Sequence, residues 1–440
     1  MVKKVDTALV KLWGHTLGAV SWLTDRAYGI FEYDPDFLRL GLNVSPIHMS
    51  LEEARKGDGR FSFPALNKNT FLGLPGMLAD ALPDKFGNSI IDAWLARRGR
   101  DSSSFSPVER LCYTGKRGMG ALEFSPAISE NYDAAVPVEV SELVELVQEI
   151  MRGRKTLDIT LDISRGESAT NSADAILDIL RVGTSAGGAR PKAVIAMNNK
   201  GSVLSGQTDA PAGYDYWILK FDGVTDLELG EPSGYGRIEF AYHLMAKSAG
   251  IRMPECRLLE ENGRAHFMTK RFDRVDGKKL HMQSLCGIAH YDFNSGDAYS
   301  YEQAFAVMRK LRLSQRDATE QYRRMLFNIT ARNLDDHTKN IAFLMGPSGT
   351  WTLSPAYDVI YAHNPAGKWT NQHQMSANGK RDHFTKADLI AVGKSISLSR
   401  PEEILDEVIA AVNQWPNYAK QSNIKDTTIA EIARNHRLFL

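Results

Sequence analysis

Residues 331–343 read Ala331-Arg332-Asn333-Leu334-Asp335-Asp336-His337-Thr338-Lys339-Asn340-Ile341-Ala342-Phe343. Before them, apolar residues at i, i+3, i+4 and i+7 predict a helix from Ala318 to Thr330. After them, two short apolar runs flank Gly346-Pro347-Ser348-Gly349 and predict a β-hairpin that leads to Asp358. The polar residues therefore lie on a loop between a helix and a hairpin, where folded proteins commonly place functional groups.

The residue types on this loop suit phosphoryl transfer. That reaction needs a carboxylate near the attacking hydroxyl and oxygen ligands that hold magnesium on the phosphates of ATP. A kinase catalytic loop supplies an aspartate and, five residues later, an asparagine. Asp335 and Asn340 have this spacing, and Asp358 lies where a hairpin would deliver a second aspartate. The alternative is an ordinary solvated loop rich in turn residues, and we favour the functional interpretation.

Lys220 is the next candidate, because it ends the apolar run Tyr216-Trp217-Ile218-Leu219. The ATP-binding lysine of kinases ends a strand in the same way, although a lysine at a strand end is also a common solvated edge residue. Glu239, at the start of the following helix, could pair with this lysine. We favour the simpler interpretation of an acidic residue near a helix N-terminus.

A glycine-rich run, Gly183-Thr184-Ser185-Ala186-Gly187-Gly188-Ala189-Arg190-Pro191-Lys192, is a third candidate. Its glycines allow backbone N–H groups to approach phosphate, and Lys192 could add a positive charge. The order of residues does not match the Walker A loop, so a flexible turn between strands remains the alternative.

Outside these motifs, the chain is strand-rich with one long helix up to about residue 275 and helical afterwards. We predict an α+β, protein-kinase-like fold of two lobes, a strand-rich N-terminal part and a helical C-terminal lobe. Many α+β proteins share this order. The predicted domains are an N-terminal α/β subdomain (1–135), a region like a kinase N-lobe (136–275) and a helical C-lobe (276–440).

Individual elements follow from periodicity and turn residues. The predicted strands are Ala8–Trp13, Leu17–Trp22, Ala121–Phe124, Ala193–Met197, Tyr216–Phe221, and the hairpin arms Arg257–Leu259 and His266–Met268. The predicted helices are Asp84–Arg98, Ser141–Met151, Arg237–Ala249, Tyr301–Leu311, Ala318–Thr330 and Pro401–Trp415.

Composition limits the classes of function. The chain has 440 residues, with Lys+Arg and Asp+Glu both at 53, so no basic excess indicates that it grips nucleic acid unaided. Its three cysteines form no CxxC pair, which fits a reducing compartment. No apolar run has the length of a signal sequence or a membrane span. We expect a cytoplasmic protein with no membrane partner.

The chain resembles the HipA family of bacterial serine/threonine kinases, which are the toxins of toxin–antitoxin pairs. The resemblance runs over nearly the whole length, and its motifs occur in the family's order. They are Leu82-Pro83-Asp84, the Ser185–Lys192 loop, Arg271-Phe272-Asp273-Arg274, the Asp335–Asn340 loop and Leu353-Ser354-Pro355-Ala356-Tyr357-Asp358.

The resemblance implies a role for each matching position, with ATP and magnesium as cofactors. Asp335 is the implied catalytic aspartate, Asn340 and Asp358 are the magnesium ligands, and Ser185 is the serine whose autophosphorylation switches the kinase off. The implied cofactor-binding residues are Lys220, Phe272, Ser185, Gly187, Gly188, Lys192, His337 and Lys339, with Lys220 at the ATP phosphates and Phe272 near adenine.

Two positions depart from the family pattern. Asp336 stands where the best-known version has glycine, which leaves Asp335 and Asp336 as alternatives for the residue that faces the acceptor, and the spacing to Asn340 favours Asp335. Lys270 stands just before Arg271, where the family pattern has an acidic residue.

The resemblance also implies partners: a protein substrate from the translation machinery, such as an aminoacyl-tRNA synthetase, and a small helix-turn-helix antitoxin that binds DNA. Two other functions remain open, a small-molecule phosphotransferase of kinase-like fold and a catalytically silent corepressor.

Overall fold

The computed structural model describes two compact units in residues 4–97, 99–128, 137–141, 143, 144, 147, 191–206, 210–223 and 234–439. The strand-rich unit comprises Met1–Leu42, Leu51–Gly234 and Arg257–His281. The helical unit comprises Asn43–Ser50, Tyr235–Cys256 and Met282–Leu440. The α+β class is confirmed, and the domain boundaries at residues 135 and 275 stay predictions.

The strand-rich unit begins with a five-stranded antiparallel sheet of order β4-β3-β2-β1-β5. Its strands are β1 (Thr7–Leu12), β2 (His15–Leu23), β3 (Tyr28–Tyr33), β4 (Arg60–Phe61) and β5 (Leu122–Ser125). Side chains of β1 alternate between exposed and buried, as a strand with one face on a core requires. The predicted strands Ala8–Trp13, Leu17–Trp22 and Ala121–Phe124 are confirmed.

A second five-stranded sheet has the order β7-β6-β8-β10-β9. Its strands are β6 (Lys192–Asn198), β7 (Val203–Ser205), β8 (Tyr214–Lys220), β9 (Cys256–Glu261) and β10 (Arg264–Lys270). Asn262 and Gly263 connect β9 and β10 with φ angles of 45° and 79°. Two consecutive positive φ angles are what a tight two-residue hairpin requires, so the predicted hairpin is confirmed. A two-stranded ribbon, β11 (Arg274–Val275) and β12 (Lys278–Lys279), follows.

Six helices of this unit lie entirely within the described residues. They are α1 (Pro35–Leu40), α2 (Leu51–Lys56), α3 (Lys68–Phe71), α4 (Gly76–Ala79), α5 (Lys85–Arg97) and α6 (Pro107–Thr114). The apolar stripe predicted for α5 is buried and divides between two cores. Ile90 packs with Trp217 and Leu219 of the second sheet, whereas Ile91 and Trp94 pack with Tyr113 of α6.

The helical unit contains eight helices among its described residues and one small sheet. The helices are α7 (Tyr235–Ser248), α8 (Leu285–Ala289), α9 (Tyr301–Lys310), α10 (Gln315–Thr330), α11 (Lys386–Ser395), α12 (Pro401–Asn413), α13 (Trp415–Gln421) and α14 (Asp426–Asn435). The sheet has the order β13-β14-β15, with β13 (His281–Ser284), β14 (Ala342–Met345) and β15 (Trp351–Leu353).

Helix α10 supports the polar loop. It begins at Gln315, three residues before the predicted start, because the Ser314 side chain accepts a hydrogen bond from the Asp317 amide and caps the helix. The predicted stripe of Tyr322, Met325, Leu326 and Ile329 is buried, with at most 1% exposure. Trp415, predicted as the end of α12, instead begins α13.

Two further expectations concern the cysteines and possible membrane-spanning helices. Cys112, Cys256 and Cys286 are all buried, and none of the three forms a disulfide. Among the helices in the described ranges, none has both the length and the apolar character needed to cross a bilayer.

Candidate active site

The polar loop begins where α10 ends. Ala331 caps the helix, and Arg332 turns the chain with a φ angle of 58°. The buried guanidinium of Arg332 lies 3.3 Å from a carboxylate oxygen of Asp382. Backbone hydrogen bonds then join both Arg332 and Leu334 to Ala362. The helix cap, the ion pair of Arg332 and the hydrogen bonds to Ala362 therefore fix the start of the loop, just before Asp335.

Asp335 and Asn340 are brought together by the local fold. The Asn340 side-chain amide donates to the Asp335 carbonyl oxygen at 2.8 Å, and Thr338–Asn340 forms one turn of 3-10 helix. The side-chain nitrogen of Asn340 thus holds the Asp335 backbone. The side-chain oxygen, Oδ1, is the Asn340 atom that could coordinate a cation. The Asp335 side chain is 48% exposed and lies 3.8 Å from His337 Nε2. The carboxylate can therefore reach a bound hydroxyl.

Asp336 has the opposite environment. It is buried, and its carboxylate accepts hydrogen bonds from Tyr301 Oη at 2.8 Å and the Gln374 amide at 2.7 Å, with His373 Nδ1 also at 2.8 Å. Burial raises the pKa of Asp336, but the His373 imidazole and the two donors outweigh it and hold the pKa below its ordinary value. We call these four residues the Asp336 cluster.

Asp358 reaches the site by the predicted hairpin. β14 and β15 pair with Phe343 opposite Leu353, and the Tyr357 hydroxyl donates to the Lys339 carbonyl oxygen at 2.5 Å. Asp358 itself has a φ angle of 52°. Aspartate tolerates this left-handed region better than most residues, and such backbone conformations are concentrated at functional sites.

Asn340 and Asp358 line the same small cavity, of about 30 Å³, together with Asp336 and Asn328. Magnesium prefers oxygen ligands and usually takes only one or two carboxylates from a protein, the remainder coming from water and substrate phosphates. One amide and one carboxylate around a cavity fit that pattern. No group of three or more His, Cys, Asp or Glu that could cage a metal occurs among the residues the structure describes.

Two predicted cofactor-binding residues lie beside this site. The Lys339 ammonium is 4.9 Å from the centre of the Phe293 ring. The His337 ring is 5.5 Å from the same ring. Phe293 therefore positions both side chains on the loop.

The other predicted residues belong to the strand-rich unit. Lys220 ends β8, opposite Lys192 of β6, with its ammonium 5.7 Å from the Phe267 ring centre. Lys192 is buried, and its ammonium lies 3.0 Å from a carboxylate oxygen of Asp84. Phe272 is partly buried. Ser185, Gly187 and Gly188 lie outside the described residues, so their roles stay predictions.

The motif Arg271-Phe272-Asp273-Arg274 forms a buried ion-pair network. Asp273 is fully buried, and both arginines contact its carboxylate at 2.8 Å while the Gly120 amide donates to it at 2.7 Å. Burial opposes ionisation, but the two guanidinium groups hold the pKa of Asp273 far below its ordinary value. This network joins the motif to Gly120, which lies just before β5.

The structure also corrects one interpretation. Glu239 is only 3% exposed, because α7 begins at Tyr235, two residues before the predicted start, and so places Glu239 beyond the first turn. It is a buried acid beyond the first turn rather than an acidic residue near the helix N-terminus.

Sequence reasoning missed the partners of Asp336. Tyr301 and His373 lie 35 and 37 residues away along the chain, and no local spacing signals their contact. Only the replacement of the family's glycine by a second carboxylate pointed to this position.

Comparisons with known proteins agree with this architecture. The model of the HipA N-terminal domain matches residues 8–125, and that of the HipA-like C-terminal domain matches residues 184–415. A Sinorhizobium fredii protein named "Putative kinase Y4dM" is 27% identical over 157 residues. That match covers 33% of this chain and 37% of the relative, so the chain spans little more than a third of the relative's length.

Among solved structures, the HipA, HipB and operator DNA complex of the Shewanella oneidensis MR-1 toxin–antitoxin system aligns over 97% of this chain and 94% of that chain. The TM-score is 0.66 at 17% identity, which establishes a shared fold. The proinflammatory kinase CtkA of Helicobacter pylori covers 57% of this chain at a TM-score of 0.34, too low to carry weight. The chain has a kinase-like fold and belongs to the HipA family.

Proposed function

We propose that this protein is an ATP- and magnesium-dependent serine/threonine protein kinase that acts as the toxin of a toxin–antitoxin pair. One observation carries the proposal: the helical unit brings Asp335, Asn340 and Asp358 together, although Asp358 is distant in sequence. Asn340 holds the Asp335 backbone, and Asn340 and Asp358 line one cavity. These are the side chains that phosphoryl transfer requires.

Each of the site residues would have a separate role in the reaction. Asp335 would orient the acceptor hydroxyl and accept its proton as the hydroxyl oxygen bonds to the γ-phosphorus of ATP, while the bond from that phosphorus to the bridging oxygen breaks and ADP leaves. Asn340 and Asp358 hold magnesium, which, when bound, neutralises charge on the transferred phosphoryl group. The family resemblance supports Lys220 at the ATP phosphates and Phe272 near adenine, with Gly187, Gly188, Lys192, His337 and Lys339 as further cofactor contacts.

Burial supports Asp335 over Asp336 as the reacting group. Asp336 is 3% exposed and its carboxylate is occupied by three partners. A general base must lie within hydrogen-bond reach of its proton, and the half-exposed Asp335 carboxylate meets that condition more readily.

The partners are proposed from the same family. The Shewanella oneidensis relative is described in a complex with HipB and operator DNA, which supports a small antitoxin partner and an indirect association with DNA. The protein substrate would be a translation component such as an aminoacyl-tRNA synthetase. The three buried cysteines, which form no disulfide among the described residues, fit a cytoplasmic location.

The proposal is tested by incubating the full chain with labelled ATP, with magnesium or with a chelator, and mapping the phosphate by mass spectrometry. We expect magnesium-dependent incorporation at Ser185, which Ser185→Ala removes without abolishing transfer to other proteins. Asp358→Ala should abolish both, whereas the exposed Asp276→Ala should abolish neither. Incorporation that persists in Asp358→Ala would reject the assignment.

A further inference from the structure

Residues 363–372, which follow Asp358 in the chain, form a compact exposed loop that the proposed chemistry does not use. We call it the tryptophan loop. Its backbone is fixed by hydrogen bonds from the Asn364 amide to the Thr370 carbonyl at 3.0 Å and from the Gly367 amide to the Asn364 carbonyl at 2.9 Å. The Asn364 side chain also accepts from the Ala366 amide. A loop closed in this way presents its side chains without a large ordering cost on binding.

One residue links this loop to the candidate catalytic aspartate. The Gln374 side-chain amide donates to the Trp369 carbonyl oxygen, and the Gln374 backbone amide donates to Asp336 at 2.7 Å. Asp336 is the neighbour of Asp335 in sequence, and both Gln374 and Asp336 are buried. The tryptophan loop is therefore anchored on the loop that carries the reacting carboxylate.

The anchored loop exposes a large aromatic side chain. Trp369 is 42% exposed, and the Lys368 ammonium lies 4.9 Å from the centre of its ring. Single exposed apolar residues are normal on protein surfaces. Tryptophan on a fixed loop beside a reaction site is different, because tryptophan is among the residues that dominate binding energy when a partner polypeptide covers them.

Charge indicates which class of acceptor suits this surface. The sequence from Val359 to Arg381 contains no Asp or Glu but includes Lys368, Lys380 and Arg381. Lys380 is paired with Asp388 at 2.6 Å, so Lys368 is the cation on the loop itself. Residues 363–372 contain no carboxylate, so an acidic side chain of a polypeptide would find a complementary charge in Lys368.

We propose that the tryptophan loop is the docking surface for a polypeptide acceptor carrying an apolar and an acidic side chain near the phosphorylated hydroxyl. Trp369 and Lys368 are then specificity-determining residues: Trp369 covers the apolar side chain and Lys368 pairs with the acidic one. This inference rests on the proposed kinase function and names the substrate class of the same site.

The test compares three acceptors with the full chain, labelled ATP and magnesium. They are a serine/threonine peptide pool with apolar and acidic flanks, a matched pool with apolar and basic flanks, and kanamycin. We expect preference for the acidic pool. Trp369→Ala should raise the KM for that pool about tenfold with little change in kcat or in the KM for ATP. Trp369→Phe should retain most of the affinity, and Lys368→Glu should shift preference to the basic pool.

Leu40→Ala is the matched control, since Leu40 has a similar exposure of 46% but belongs to the strand-rich unit. An unchanged peptide KM in Trp369→Ala, preference for kanamycin or the basic pool, or transfer to Ser185 with no peptide phosphorylated would overturn the docking proposal and leave the kinase function standing. A wild-type chain that transfers phosphate to no acceptor, Ser185 included, would overturn both.

Discussion

At the scale of single residues, two adjacent carboxylates have opposite environments. Asp335 is half-exposed, with His337 Nε2 3.8 Å from its carboxylate, whereas Asp336 is buried with three partners. The five-residue spacing to Asn340 was enough to favour Asp335 from sequence. The role of Asp336 could not be predicted, because Tyr301 and His373 reach it only through the tertiary fold.

This difference predicts that substitution of Asp336 destabilises the fold, whereas substitution of Asp335 does not. Asp336→Ala should lower the free energy of unfolding by about 3–5 kcal/mol, because it leaves a buried hydroxyl, imidazole and amide without their acceptor. Asp335→Ala should change it by no more than about 0.5 kcal/mol, as is usual for exposed sites. Urea unfolding followed by circular dichroism measures both, and equal losses in the two variants would contradict the assignment.

At the scale of elements, the longest helices and several of the strands could be predicted. The Asn262-Gly263 hairpin, the helix α5 and the stripe of α10 follow from local turn residues and periodicity. Errors concentrate at helix ends, where one capping side chain decides the boundary: Ser314 starts α10 three residues early. The function of a motif such as Arg271–Arg274 is less visible locally, because it contacts Gly118 and Gly120, which lie far earlier in the chain.

The Asp273 network is predicted to hold this part of the strand-rich unit together. Asp273→Asn should destabilise the chain by about 3–5 kcal/mol, since it leaves two buried or half-buried guanidinium groups without their charge partner. Asp276→Asn is the matched control in the same segment, because Asp276 is exposed and asparagine also tolerates its φ angle of 50°. Thermal unfolding compares the two, and indistinguishable midpoints would show that the network adds nothing.

At the scale of the whole molecule, the family and the α+β, kinase-like fold could be predicted because several motifs recur in order. The tryptophan loop could not, since its shape depends on Gln374 bridging Trp369 and Asp336. No periodicity or motif marks residues 363–372, and their link to the loop that carries Asp335 and Asp336 follows from long-range pairing.

Stability of the helical unit should decrease in acid. Burial lowers the pKa of His243 and of His436 to about 4 and that of His290 to about 3. Each histidine therefore stays neutral in the folded chain while its unfolded form takes up a proton near pH 6.5. The stabilisation is complete above that pH and is lost as the pH falls toward 4.

Urea unfolding at about pH 7 and about pH 5 should show a loss on the order of 1–2 kcal/mol for each histidine. His243→Leu should reduce this loss of unfolding free energy by the contribution of one histidine, because His243 is 3% exposed. His383→Gln, at an exposed position, should leave it unchanged. A pH dependence that is identical in all three chains would contradict the burial argument.

The most direct test of the central claim is phosphate transfer by Asp335→Ala at an ATP concentration that saturates binding in both variant and wild type. We predict that the variant folds and binds magnesium–ATP like the wild type but incorporates phosphate at least about a hundredfold more slowly, because it lacks the carboxylate that accepts the hydroxyl proton. Wild-type rates of incorporation in a folded, ATP-bound Asp335→Ala chain would show that the reacting carboxylate lies elsewhere.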